Sequence, residues 1–186
     1  MNHLRGTATA LQGLIRIERR KMQDARGSFS RLFCADELVE FGWLSSVMQF
    51  NISYTQRKGS VRGMHFQYPP HAEMKLVSCI RGAAWDVAVD LRKNSTTYLL
   101  WYGIEISAAN QLSFLIPQGF AHGFQSLTDD CELLYAHSAA YVPQAEAGVC
   151  PTDFALAIDW PLPISEMSDR DKSHPLIDTH FKAITI

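Results

Sequence analysis

The chain has 186 residues, of which 47% are hydrophobic and 19% charged, and its formal net charge is −2. These values are typical of one soluble globular domain, and the lack of excess positive charge argues against nucleic-acid binding. The N-terminal residues lack the apolar run of a signal peptide, and no window approaches the roughly 20 apolar residues that span a bilayer. The four cysteines are scattered without a C-x-x-C spacing, which fits a reducing compartment. The sequence therefore predicts a cytoplasmic protein that binds neither nucleic acid nor membrane.

The N-terminal region contains one helical signal. Asp36 is a candidate N-cap for a short helix through residues 37–41, and Gly42 is a candidate stop. The rest of the N-terminal region, about residues 1–55, is predicted to contribute strands.

From residue 47 onward, short segments rich in β-forming residues alternate with turn signals. The predicted strands cover residues 47–51, 75–80, 84–91, 101–107, 112–116, 122–127 and 132–137. Because a single sheet of this many strands would leave one apolar face uncovered, the pattern predicts a sandwich or barrel. The proline-rich segment after about residue 143 is predicted to wrap this barrel and close one end.

A polar pair, His65 and Gln67, alternates with Arg62, Met64 and Phe66 in one predicted strand. The period of two residues places the pair on one face and the other three residues on the opposite face. A polar pair of this kind lines a barrel interior or faces solvent on an edge strand, and the pattern alone leaves both interpretations open.

Three further side chains are candidates for chemistry. Lys75 enters an apolar strand, where it either reaches the surface or supplies a cation to a site. His122 follows a Pro-x-Gly-x-x-His turn that matches half of the cupin signature. Tyr135 lies in the last predicted strand, where tyrosine is ordinarily a packing residue. None of these residues is decisive alone.

Several sequence motifs follow one another along the chain, and together they span roughly residues 15–178. They occupy residues 24–29, 49–53, 61–67, 75–77, 81–82, 86–92, 116–124, 134–135, 159–162 and 168–171. Together they resemble the dTDP-4-dehydrorhamnose 3,5-epimerase family.

The resemblance implies an all-β protein, a cupin jelly-roll barrel with short peripheral helices. It implies a single domain over residues 1–186, with N-terminal strands in about 1–55, a barrel core in about 56–142 and a C-terminal wrapping segment in about 143–186. It also implies a homodimer that exchanges N-terminal strands, a nucleoside-diphosphate 4-keto-6-deoxy sugar as substrate, and catalysis without a cofactor or metal.

The site residues follow from the same resemblance, motif by motif. The implied catalytic residues are the base His65, its partner Asp171, the acid Tyr135, and Lys75 near the sugar C4 oxygen. The implied substrate-binding residues are Arg26, Gln49, Asn51, Arg62, Gln67, His122, Tyr141, Glu146 and Arg170. These implied roles agree with the chemistry of epimerisation. A proton beside a ketone becomes acidic only when the enolate is stabilised, here by Lys75. A histidine such as His65 is a suitable base near neutral pH.

Three positions depart from the family pattern: Arg31 replaces a glutamate, Glu73 a glutamine and Ala140 an aromatic residue. These changes fall on substrate contacts, so the sequence leaves the nucleobase and the sugar open. Three alternatives also remain open: a metal-dependent cupin enzyme, a sugar-nucleotide-binding protein without catalysis, and an epimerase of C3 or C5 alone. The metal enzyme is disfavoured because Gln67 stands where a second histidine ligand is expected.

Overall fold

The computed structural model describes residues 2–186. Fourteen strands and two short α-helices follow one another along the chain. They are β1 (Leu4–Ala8), β2 (Ile15–Arg19), β3 (Lys21–Asp24), β4 (Gly27–Ser30), α1 (Ala35–Leu38), β5 (Gln49–Thr55), β6 (Ser60–Gln67), β7 (Lys75–Arg81), β8 (Ala83–Asp90), β9 (Trp101–Ser107), β10 (Leu112–Ile116), β11 (Phe120–Ser126), β12 (Cys131–His137), β13 (Glu146–Gly148), β14 (Glu166–Met167) and α2 (Asp169–Lys172).

The strands form two facing sheets. The first sheet has the order β1-β2-β10-β7-β12-β5, and the second has the order β13-β6-β11-β8-β9, with β14 added parallel to β6. β3 and β4 form a separate hairpin. All predicted strands are present, and the prediction of an all-β jelly-roll barrel with short peripheral helices is confirmed. In the part of the chain from residue 2 to residue 186, no helix is long and apolar enough to cross a membrane.

The core has three apolar layers. One fills the space between the sheets and includes Val77, Phe114 and Leu133. A second covers the outer face of the second sheet, where residues of the C-terminal segment such as Leu156 and Ile184 pack against it. The third covers the outer face of the first sheet and includes α1. The boundaries of the three predicted parts of the domain remain predictions.

The helix near residue 36 forms, but its predicted cap is wrong. The N-cap is Cys34, which makes no capping side-chain hydrogen bond, and Asp36 lies within the first turn. A 3-10 turn, Val39–Phe41, continues the helix. The predicted stop is confirmed, since Gly42 adopts φ 97°, the left-handed conformation that glycine tolerates best.

The strict alternation expected for β6 is also wrong. The β11–β6 register pairs His122 with His65 but Phe124 with Arg62, so β6 contains one extra residue between these pairs. A bulge of this kind reverses the face on which the following side chains lie. Gly63 occupies the bulge with φ 129°, and a Cβ there would lie 2.5 Å from the Cα of Gly123. Arg62 therefore lines the same cavity as His65.

Candidate active site

A cavity of about 800 Å³ opens between the two sheets. Every predicted site residue except Arg26 lines it. Those residues are Gln49, Asn51, Arg62, His65, Gln67, Lys75, His122, Tyr135, Tyr141, Glu146, Arg170 and Asp171. The walls come from facing sheets, so side chains of β6 and β12 reach a bound molecule from opposite directions.

His65 and Asp171 form a hydrogen-bonded pair although 106 residues separate them. The His65 Nε2 lies 2.8 Å from Asp171 Oδ1, and the Gly63 N–H donates to Asp171 Oδ2 at 3.3 Å. Asp171 is fixed by α2, whose N-cap Ser168 accepts a hydrogen bond from the Asp171 N–H at 3.0 Å. Pairing of β14 with the first residues of β6 brings this helix to the cavity.

The protonation of this pair follows from its contacts. Burial raises the pKa of Asp171, but hydrogen bonding and charge from His65, with the Gly63 N–H and Ser168, outweigh burial and leave the pKa below its ordinary value. Asp171 is therefore ionised at neutral pH and only accepts hydrogen bonds. The His65 proton then resides on Nε2, and Nδ1 is the basic nitrogen.

Lys75 joins the two sheets inside the cavity. Its Nζ lies 2.9 Å from Glu73 Oε1 and donates to the backbone oxygen of His65 at 3.2 Å. Both side chains of the ion pair are more than nine-tenths buried. The Gln67 Nε2 donates to Glu73 Oε2 at 3.2 Å. Glu73, one of the departures from the family pattern, is thus a partner of Lys75.

Tyr135 occupies the wall opposite His65. Its hydroxyl lies 3.1 Å from Ser53 Oγ, and its ring meets the His122 ring edge-on, with centroids 5.9 Å apart. Burial raises the pKa of Tyr135 well above its ordinary value, and the Ser53 hydrogen bond opposes this only in part. Tyr135 therefore keeps its proton at neutral pH and is available as a donor.

A second His–Asp pair lies deeper in the barrel. The His122 Nε2 lies 2.7 Å from Asp86 Oδ1, and both side chains are almost completely buried. Sequence reasoning selected His122 but not Asp86. The alternation of β8 places Asp86 on the interior face, a position that the sequence pattern left equivalent to Asp90.

The rim of the cavity carries polar side chains in mutual contact. Arg170 lies 2.5 Å from Glu146, whose other carboxylate oxygen accepts from the Tyr141 hydroxyl at 2.5 Å. Gln49 donates to Asn51 at 3.0 Å on β5. Such a ring of donors and acceptors is suited to a polar, extended ligand.

Arg26 is the predicted site residue that lies away from this cavity. It occupies the turn of the β3–β4 hairpin, where its side chain is 90% exposed and pairs with Asp24 at 2.6 Å. Within this chain, the hairpin does not bring Arg26 to the other predicted site residues.

His137 was missed by sequence reasoning. It lines the cavity two residues after Tyr135, and its ring stacks on that tyrosine with centroids 6.0 Å apart. Burial, followed by the charge of Lys75, lowers the pKa of His137 to about 4, so its imidazole is neutral at physiological pH. The two-residue spacing from Tyr135 on one strand was the available signal.

Comparison with known proteins agrees with this geometry. A family model described as dTDP-4-dehydrorhamnose 3,5-epimerase matches residues 8–179. A dTDP-4-dehydrorhamnose 3,5-epimerase of Methanothermobacter thermautotrophicus is 40% identical over 176 residues, which cover 93% of this chain and 94% of the relative. A dTDP-4-dehydrorhamnose 3-epimerase of Streptomyces niveus is 37% identical over 168 residues, 90% of this chain and 81% of the relative.

A solved structure gives the same result at the level of the fold. The 3,5-epimerase of Legionella pneumophila, in complex with dTDP-4-keto-L-rhamnose, superposes with a TM-score of 0.89 and 37% identity over 94% of this chain and 93% of that chain. The resemblance seen in the sequence motifs is therefore confirmed over nearly the whole chain. The chain belongs to the dTDP-4-dehydrorhamnose 3,5-epimerase family.

Proposed function

We propose that this protein is an isomerase that epimerises a dTDP-linked 4-keto-6-deoxy sugar at C3, C5 or both. The observation that carries the proposal is the presence of His65–Asp171, Lys75 and Tyr135 in one cavity, with the base and the acid on opposite walls. A protein that only bound the sugar nucleotide would have no use for this acid–base set.

The reaction follows from these positions. Nδ1 of His65 removes the proton from the carbon next to the ketone, and the electrons of that C–H bond form an enolate with its charge on O4. The Lys75 ammonium stabilises this oxygen, and Asp171 stabilises the imidazolium. Tyr135 then delivers a proton to the opposite face of the carbon, which inverts it. Each positioned proton-transfer group contributes about 10²–10⁴-fold.

The rim residues would hold the nucleotide. Arg62 and Arg170 offer planar guanidinium groups suited to diphosphate oxygens. Gln49, Asn51 and Tyr141 would contact the sugar and the base. The four cysteines are free thiols, which supports our further proposal that the enzyme works in a reducing cytoplasm.

A homodimer with exchanged N-terminal strands would explain why Arg26, a predicted substrate-binding residue, lies away from the cavity of its own chain. The edge strand β5 exposes Phe50, Ile52 and Tyr54, and Phe29 on the hairpin is 62% exposed. A second copy that covered this apolar surface would bring its hairpin, and with it Arg26, towards the neighbouring cavity. Light scattering should give twice the chain mass for the protein and a monomer for Ile52→Asp. In the dimer, Arg26→Ala should raise KM more than Lys21→Ala on the same hairpin.

Deuterium exchange tests the catalytic proposal. The protein is incubated in D₂O with dTDP-4-keto-6-deoxyglucose, and the C3 and C5 protons are followed by NMR. Loss of both signals, absent in His65→Asn, supports a double epimerase, and loss of one signal supports a single-carbon epimerase. Absence of exchange with dTDP-, CDP- and GDP-linked 4-keto sugars would overturn the proposal.

A further inference from the structure

His174 lies beside the His65–Asp171 pair and has no role in the reaction proposed above. It follows α2, and its Nε2 is 3.7 Å from Asp171 Oδ1, the same oxygen that His65 Nε2 contacts at 2.8 Å. The His65 and His174 rings meet edge-on with centroids 5.4 Å apart. The three ligand atoms all lie within 4.8 Å of one another.

The position of His174 depends on Gly148. Gly148 pairs with His65 across β13 and β6, and a Cβ on Gly148 would lie only 2.4 Å from His174 Nε2. The absence of a side chain at this position leaves room for the imidazole. Although buried, His174 Nε2 has no hydrogen-bond partner within residues 2–186. A buried polar atom without a partner is costly, so the arrangement calls for a ligand.

We infer that His65, Asp171 and His174 form a binding site for a divalent transition-metal ion, with Zn²⁺ as the best match, and that its occupation inhibits the enzyme. The inhibitory part rests on the proposed function, since it requires His65 to be the base. Two imidazoles and one carboxylate are the donors that Zn²⁺ commonly takes from proteins.

The geometry suits such an ion. Tetrahedral zinc with bonds of 2.0–2.2 Å places its ligand atoms about 3.4 Å apart. The separations of 2.8 and 3.7 Å to Asp171 Oδ1 lie on either side of this value. The His65 side chain is 33% exposed, so this cluster of donors borders the cavity through His65.

This site differs from the metal site considered for a cupin enzyme. The cupin arrangement would use His122, but His122 Nε2 is engaged by Asp86 at 2.7 Å. The third ligand of the proposed site, His174, instead comes from the C-terminal segment that also carries Asp171.

Inhibition follows from the proton count. Neutral His65 holds one proton, which resides on Nε2 in the pair with Asp171. A metal ion at Nε2 moves that proton to Nδ1, the nitrogen that would abstract the sugar proton. The imidazole neither gains nor loses a proton, but its proton now lies on Nδ1, which can no longer accept the proton of the sugar. Asp171 Oδ1 is bound to the metal at the same time and no longer stabilises an imidazolium.

Two measurements on the full chain test the inference. Co²⁺ is added to metal-free protein, and absorption in the visible range is followed for the bands of tetrahedral coordination. Zn²⁺ is then titrated into the deuterium-exchange assay. The test variant is His174→Gln, and the matched control is His180→Gln, which removes an exposed histidine from the same segment.

We expect tetrahedral Co²⁺ bands in wild type and His180→Gln but not in His174→Gln. Zn²⁺ should inhibit wild type reversibly, with recovery on addition of EDTA, and the inhibition constant should rise at least about tenfold in His174→Gln. Equal inhibition of all three proteins, activation by metal, or Co²⁺ bands that persist in His174→Gln would overturn the inference. The Co²⁺ measurement needs no activity, so it separates failure of this metal site from failure of the proposed reaction.

Discussion

The His65–Asp171 and His122–Asp86 pairs are built differently, although their histidines lie opposite each other on neighbouring strands. His65 and His122 are paired in the β6–β11 register, and each imidazole contacts its carboxylate at 2.7–2.8 Å. The His65 side chain is 33% exposed, whereas that of His122 is 6% exposed. The two pairs therefore share the distance between imidazole and carboxylate and differ in how far the imidazole is exposed.

The carboxylates differ as well. Asp171 lies in the C-terminal helix α2, and each of its carboxylate oxygens has a hydrogen-bonding partner. Asp86 belongs to the adjacent strand β8, and within residues 2–186 its Oδ2 is buried without a partner. In the proposed reaction, the outer pair would stabilise the imidazolium charge of His65. In the inner pair, the His122 ring meets the Tyr135 ring edge-on.

The largest expected effect separates the two histidines directly. His65→Asn removes the proposed base, so deuterium exchange at the sugar should fall at least about 10³-fold. His122→Asn leaves the proposed base in place, and exchange should fall about tenfold or less. Both rates are measured by NMR in D₂O, with circular dichroism to establish that each variant is folded. A larger loss in His122→Asn than in His65→Asn would reverse the assignment of the two pairs.

Tyr135→Phe should divide the reaction into its two halves. Removing the phenol leaves His65 free to abstract a proton, so exchange should continue, but delivery from the opposite wall is lost. The yield of inverted sugar per exchange event should fall about 10²-fold. Product stereochemistry and deuterium content are read from the same NMR sample. Exchange and inversion that fell together would show that Tyr135 is not a separate acid.

Asp171 should also stabilise the folded protein at neutral pH, and this contribution should disappear in acid. Because its folded pKa is depressed, its contribution is fully present above its unfolded pKa of roughly 3.9 and is lost as the pH falls through the folded value. At pH 7, Asp171→Asn should lower the free energy of unfolding by about 1–3 kcal/mol. This difference from wild type should shrink below about pH 4.

Urea denaturation at pH 7, 4 and 3 measures this difference, with Asp178→Asn as the control at an exposed aspartate of the same segment. A difference that is the same at all three pH values would mean that Asp171 acts through packing and not through its charge.

Most strands could be predicted from local pattern, whereas the site residues were predicted from the resemblance of the ordered motifs to a known family. Alternation and β-forming segments located β5 to β12, but the short strands β13 and β14 of the C-terminal segment were not predicted. The order of the motifs, through the family resemblance, selected His65, Lys75 and Tyr135. Arg62 was assigned to the wrong face because the β6 bulge is set by the close approach of Gly63 and Gly123, which no local pattern encodes. Asp86 contacts His122 and His174 contacts His65, pairings between distant segments that the sequence pattern does not show. His137 was missed although its spacing from Tyr135 was an available signal.

Replacement of His137 is predicted to have the smallest effect on the exchange rate. It tests whether a buried histidine of the cavity takes part in proton transfer. With a pKa of about 4, its imidazole is only a weak base and stays neutral between pH 6 and 8, so we expect it to take no part in proton abstraction. His137→Gln retains a neutral hydrogen-bonding group, and the exchange rate should change by less than about threefold at pH 6–8. A shift of the pH–rate profile in this variant would mean that His137, and not His65 alone, changes protonation during the reaction. An unchanged profile would leave His65, the more exposed of the paired histidines, as the base.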